Sequence, residues 1–188
     1  VIRAPRYKDI VDMAKYSSVP VINAMADDEN HPGQVLCDVF TMYEKVEKIK
    51  GINLAFIGDT TPSMGNVPRD LMLLSSKLGI NFYLASPKEY RAEEEFLKQV
   101  YENAEQSGSR IAITEEPKEA VAQADFIYTG VWTWYFTGKE EAEERRKVFV
   151  PRYQVNSELM KAAPAHCKFM HYLPAMRGEE VTDDVIDS

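Results

Sequence analysis

The chain has 188 residues, 22 Lys+Arg against 30 Asp+Glu, a formal charge of −8 and 45% hydrophobic residues. At ~150 residues per domain this is one large domain, or one domain plus part of another, with enough chain to bury a core. The acidic balance excludes a nucleic-acid partner, which needs Lys/Arg against phosphates, and no run approaches the ~18 apolar residues of a membrane span. The cysteines, Cys37 and Cys167, form no disulfide framework and fit a reducing, cytoplasmic compartment. The chain opens on Val1 without a signal-peptide pattern and stops after a helix-like acidic run, Glu179 to Asp187, as a piece of a longer protein would.

Short β-branched runs alternate with helical patterns. Ile10, Val11 and Ala14 predict a helix, followed by a strand over Val19–Asn23. His31-Pro32-Gly33-Gln34 opens a helix carrying Val35, Leu36, Val39 and Phe40, since proline suits a first helical turn. The polar run from Glu44 to Gly51 marks a boundary. Beyond it, strands are predicted at Asn53–Gly58, Asn81–Ala85, Arg110–Thr114, Asp125–Thr129 and Lys168–His171. Between them run the helical stripes Leu71, Leu74, Leu78 and Phe96, Leu97, Val100, Tyr101, Ala104, which end at Gly79 and Gly108. This alternation implies α/β units on a parallel, Rossmann-like sheet. The charged stretch Lys139–Arg146 reads as a solvated helix face.

Ligands in such sheets bind beyond the C-terminal strand ends, which singles out three loops. Gly58-Asp59 and the residues to Asn66 follow the first strand of the larger region, without the spacing of G-x-G-x-x-G or the Gly-Lys-Ser/Thr of a P-loop. Tyr128 to Phe136 packs five aromatics around Gly130, most of them core and the rest an apolar pocket wall. His171-Tyr172-Leu173-Pro174 follows the last strand, where Pro174 predicts an extended Leu173. His31 and Gln34 at a helix N-terminus suit an anionic or carbonyl-bearing ligand. His166, Cys167 and His171 are close enough in sequence to suggest zinc, but neighbouring residues of an extended segment point to opposite faces, so no metal is assigned.

Together these motifs resemble the aspartate/ornithine carbamoyltransferase family. The family's H-P-x-Q, G-D, D-x-W and H-C-L-P appear in order as His31–Gln34, Gly58-Asp59, Gly130-Val131-Trp132 and His171–Pro174. The stretches Lys147–Asn156 and Cys167–Asp183 resemble the putrescine branch. The resemblance implies residues 1–47 as the end of a carbamoyl-phosphate domain with its linking helix, 48–174 as an amine-binding α/β domain and 175–188 as a return segment. It implies transfer of a carbamoyl group from carbamoyl phosphate to a small amine, putrescine before ornithine, in a homotrimer needing no cofactor. By the same resemblance Arg3, His31 and Gln34 are catalytic and, with the Leu173 carbonyl, bind carbamoyl phosphate. Asn66 (Pro62 in the other register), Gly130, Trp134, Tyr135 and Tyr172 fall on the amine side.

Three departures stand out. The family's S-T-R-T phosphate loop would lie before Val1, Gly130 replaces an acidic residue that pairs with the substrate's ammonium, and Tyr172 replaces cysteine. They motivate two rivals: a non-catalytic family member or fragment that keeps the fold, and a nucleotide-binding regulatory domain.

Overall fold

A computed structural model describes residues 1–27, 29–63, 66–133 and 137–188. At its centre runs β3 (Asn53–Ile57), in which Leu54, Ala55, Phe56 and Ile57 are all buried. A parallel strand covered on both faces needs such a continuous apolar run rather than an alternating one. The chain steps outward from β3 to β4 (Asn81–Ala85) and β5 (Ile111–Thr114), then returns to add β6 (Phe126–Thr129) and β7 (Lys168–His171) on the other side. All four neighbouring pairs are parallel. The reversal of direction leaves a crevice between the C-terminal ends of β3 and β6, the position where open α/β sheets hold ligands.

Helices cover both faces. Leu54, Phe56, Phe82 and Tyr128 pack against Val35, Val39 and Met42 of α2 (Pro32–Val46), Leu71 and Met72 of α3 (Asn66–Leu78) and Val100 of α4 (Glu94–Ser107). On the opposite face Ala55, Ile57 and Ile127 meet α5 (Pro117–Val121), Phe149 of α6 (Lys139–Phe149), Leu159 of α7 (Ser157–Ala162) and Val185 of α8 (Asp183–Ile186). Each buried Val, Leu, Ile, Phe or Met among these stabilises the fold by about 1.5–3 kcal/mol. The predicted stops hold: Gly108 caps α4 in the left-handed region at φ 79°, and Gly79 has φ 75°.

The first region is smaller. β1 (Ile2–Ala4) and β2 (Asn23–Ala26) form a parallel pair joined by α1 (Tyr7–Tyr16). The strand expected at Val19–Asn23 thus begins where the prediction ends. Val19 and Ile22 are exposed, and the pairing partner Ala4 meets Ala26 instead. Likewise the acidic run from Glu179 is helical only over Asp183–Ile186. Among the described residues no helix is long and apolar enough to cross a membrane.

Candidate functional site

The first cluster forms around the end of β2 and the start of α2. Arg3 of β1 donates to Asp27 from Nε (3.2 Å) and Nη2 (3.0 Å). Both side chains are exposed, so the pair is worth only about 0–1 kcal/mol and leaves the guanidinium available to an incoming anion. His31 stands at the N-terminus of α2, where the free N–H groups favour negative charge. Burial holds its imidazole below the ordinary histidine range, opposed by the Ala24 carbonyl, while nearby Arg3 lowers it further and Asp27 raises it. The ring is therefore neutral at pH 7, and its buried Nδ1 meets no partner among the described residues. Its backbone N–H donates to Asp70 Oδ2 at 2.5 Å. Burial pushes Asp70 up to about 6 despite that bond. The Asn66 amide donates to the carbonyls of Ala26 and Asp27, each at 3.1 Å, tying α3 to the same turn. Arg3, His31 and Asn66 thus converge, with Asn66 acting as a brace across the two regions.

A polar thread leads from this cluster to the strand ends. Gln34 Nε2 donates to Asp38 Oδ1 at 2.9 Å, and the Tyr128 hydroxyl donates to Asp38 Oδ2 at 2.9 Å. Burial raises both the Asp38 carboxyl and the Tyr128 phenol above their usual ranges. The Tyr128 ring stacks on Tyr172, with centroids 6.2 Å apart, and Tyr172 covers Gly130. Sequence reading passed over Asp38, although a signal existed. It shares the buried face of α2 with Val35, Val39 and Met42, where a lone carboxylate needs a partner.

The strand ends carry two further carboxylates. Asp59, after β3, accepts from Arg145 Nη1 at 2.5 Å and from the Thr61 N–H and hydroxyl, each at 2.6 Å. The Asp59 and Arg145 side chains are 2% and 7% exposed. This corrects the reading of Lys139–Arg146 as a wholly solvated face: Arg145 turns inward with Ala142, while Glu141 holds its Nε from the rim. Glu180 accepts from the Met176 N–H at 2.7 Å and lies 3.1 Å from His171 Nε2. The Leu173 N–H donates to His171 Nδ1 at 2.8 Å, so Nε2 carries the proton and donates to Glu180. That bond folds the loop back. Leu173 adopts φ 49° rather than the expected extended backbone, and it is 60% exposed. His171 and His166 face different carboxylates, Glu180 and Asp125, rather than a common centre. Burial, with Asp125 nearby, pushes the Cys167 thiol up to about 11.

Trp134 and Tyr135 lie outside the described residues. Trp132 belongs to the core, stacked on Phe149 at 4.8 Å. At Gly130 the departures from the family pattern prove to be one change. A Cβ there would sit 2.0 Å from Tyr172 Cε1, so the larger residue at 172 occupies the space that the missing side chain at 130 leaves.

Fold and site together define an open, doubly covered α/β protein whose polar side chains gather at the C-terminal strand ends and at one helix N-terminus. Residues 1–44 match the family described as aspartate/ornithine carbamoyltransferase, carbamoyl-P binding domain, and residues 50–188 match its Asp/Orn binding domain. The chain belongs to the aspartate/ornithine carbamoyltransferase family. It is 48% identical over 183 residues to the ornithine carbamoyltransferase of Pyrococcus abyssi, covering 97% of this chain and 55% of that one. It is 42% identical over 196 residues to the putrescine carbamoyltransferase of Mycoplasma capricolum subsp. capricolum, covering 99% and 52%. The solved ornithine carbamoyltransferase from Pyrococcus furiosus superposes with a TM-score of 0.86 at 46% identity, covering 97% of this chain and 56% of that one. The chain therefore spans about half the length of these relatives.

Proposed function

We propose that the chain takes part in carbamoyl transfer. A neutral amine attacks the carbonyl carbon of carbamoyl phosphate, the C–N bond forms, the C–O bond to phosphate breaks, and the amine's proton leaves with the released phosphate. The observation that carries this reading is the neutral His31 imidazole, its Nδ1 without a partner among the described residues, held at the start of α2 beside Arg3. Negative charge grows on the carbonyl oxygen in the transition state, and fixed donors there lower the barrier. In this reading Arg3 and His31 serve that oxygen. Gln34 and the Leu173 carbonyl orient the carbamoyl NH₂, with the Asp38–Tyr128 pair fixing Gln34. Asn66, Trp134, Tyr135, Gly130 and Tyr172 belong to the amine side. Residues 1–47 and 48–174 act as the two halves, with 175–188 as a return segment, in a cytoplasmic homotrimer. Putrescine is favoured over ornithine on the resemblance of Lys147–Asn156 and Cys167–Asp183 to the putrescine branch, and the Tyr172 ring fills the space beside Gly130 where the family pattern has an acidic side chain. A family member that keeps the fold without turnover is the second reading, and the same ring over Gly130 favours it.

The test is phosphate and ureido-product formation from carbamoyl phosphate with putrescine, ornithine and other amines. His31→Ala is expected to lower kcat by about 100-fold or more. A wild-type kcat in that variant overturns the role of His31, and no product with any amine supports the second reading.

A further inference from the structure

The Tyr172 ring is the feature that the proposed reaction leaves unexplained. It sits directly after β7 and spans the gap to the end of β6, where it fills the space over Gly130. A Cβ on Gly130 would meet Tyr172 Cε1 at 2.0 Å, Cζ at 2.2 Å and the hydroxyl at 2.2 Å, all below the 3.0 Å that real Cβ contacts keep. The obstacle is a planar ring held on two sides. Tyr128 stacks at 6.2 Å with 25° between planes, and the His171 ring lies 5.5 Å away. His171 is itself fixed by Glu180 and by the Leu173 N–H, so the ring has no easy retreat. The phenol stays neutral, because burial and the nearby Glu180 and Asp59 charges push its pKa up.

The carboxylates around this ring each have partners, Glu180 on Oε1 alone, its buried Oε2 meeting none among the described residues. Asp59 is taken by Arg145 and Thr61, Glu180 by His171 and the Met176 N–H, and Asp38 by Gln34 and Tyr128. At the C-terminal ends of β6 and β7 the described residues thus present aromatic faces and carboxylates with a single unpartnered oxygen, Glu180 Oε2. A desolvated ammonium–carboxylate head needs charged or hydrogen-bonding partners, and leaving them unmade costs several kcal/mol. A methylene chain needs none, and a distant ammonium can settle on an aromatic face.

We propose that Gly130 and Tyr172 act as one specificity-determining unit: the ring, admitted by the missing side chain, walls the amine pocket with a neutral aromatic surface that favours an aliphatic amine without an α-amino-acid head. This rests on the carbamoyl-transfer reading and names its substrate class. The unit has two parts that can be tested separately, the steric interlock and the selection.

The experiment compares the whole wild-type chain with Gly130→Ala, Tyr172→Cys, their combination, and Gly130→Asp combined with Tyr172→Cys. Melting temperature reads the interlock. Gly130→Ala is expected to lower Tm by about 4 °C or more beside tyrosine, and by about 1 °C or less beside cysteine. Calorimetric titration with putrescine and with L-ornithine, in the presence of carbamoyl phosphate, reads the selection. The Gly130→Asp, Tyr172→Cys protein is expected to shift the affinity ratio toward ornithine by about tenfold or more. Equal Tm costs in both backgrounds, an unchanged ratio, or no binding of either amine to any form overturns the proposal. If Gly130→Ala does not fold, the ratio in the Asp/Cys protein decides alone. Phosphate release is followed in parallel. A shifted ratio without release from any amine refutes carbamoyl transfer but keeps the selection, whereas release with an unshifted ratio does the reverse.

Discussion

The two regions of the molecule are built on the same parallel β–α–β logic and stabilised very differently. Around the five-stranded sheet, apolar side chains from helices on both faces enclose β3, β4 and β6. Around β1 and β2 the buried cluster is Ala4, Ile10 and Ala26, with Ile2 and Val21 at its edge, while Met13, Tyr16, Val19 and Ile22 are exposed. The smaller region holds its place through polar ties: Asn66 to the Ala26 and Asp27 carbonyls, and Asp70 to the His31 N–H. A region with little buried surface opens at lower free energy than one with a full core. Of the residues proposed to handle carbamoyl phosphate, Arg3 thus sits on the softer part, whereas His31 and Gln34 open the helix that packs on the large sheet and Leu173 follows its last strand.

The contrast can be broken most forcefully at the rigid end. Arg145→Ala leaves the Asp59 charge buried without its partner, and the expected loss is about 3–5 kcal/mol in urea unfolding. A loss below ~1 kcal/mol would show that the pair is not a pillar of the strand-end geometry. Next comes a matched comparison of core truncations. Leu54→Ala should cost about 2–5 kcal/mol, and Ile10→Ala should fall at or below the lower end because its surroundings can collapse or hydrate. Equal losses would erase the distinction between the regions.

Tyr128→Phe tests the thread joining them. It removes one hydrogen bond from buried Asp38 and should cost about 1–3 kcal/mol. Under the proposed roles it also lowers kcat, because Gln34 loses its fixed partner, and a stability loss with unaltered kcat would confine the thread to structure. A last test is the pH dependence of the Asp70 contribution. The Asp70 pKa rises from 3.8 to about 6 on folding, so between those values the native state binds more protons than the unfolded one. Its contribution is full below 3.8 and is lost as pH rises through about 6. The difference in stability between wild type and Asp70→Asn should therefore change across that window and stay flat above it. A difference independent of pH from 3 to 8 would refute the raised pKa.

Much of this was legible from residue order. β4 falls on its predicted range, β3 and β6 differ from theirs by a residue at one end, and Gly79 and Gly108 stop their helices. The elements that escaped notice are short or weakly patterned. β1 has three residues, too few for a period to register; the helix over Lys139–Arg146 was legible, but its inward Arg145 hides among charged neighbours. His31, Gln34 and Gly130 were legible as motif members, and Asp38 was marked by its place on the apolar face of α2, but nothing local distinguished Asp70 or Glu180 from surface carboxylates.

By itself the sequence determined the order of strands and helices, the helix stops and the family motifs, because these depend on propensities and spacings within a few residues. Only the tertiary structure decided which distant groups meet. Asp38 with Tyr128, 90 residues apart, and Asp59 with Arg145, 86 apart, are joined by the way the chain returns to lay β6 beside β3. The same return sets Tyr172 over Gly130. Two substitutions that look independent along the chain share one volume in space, and a volume can be filled once.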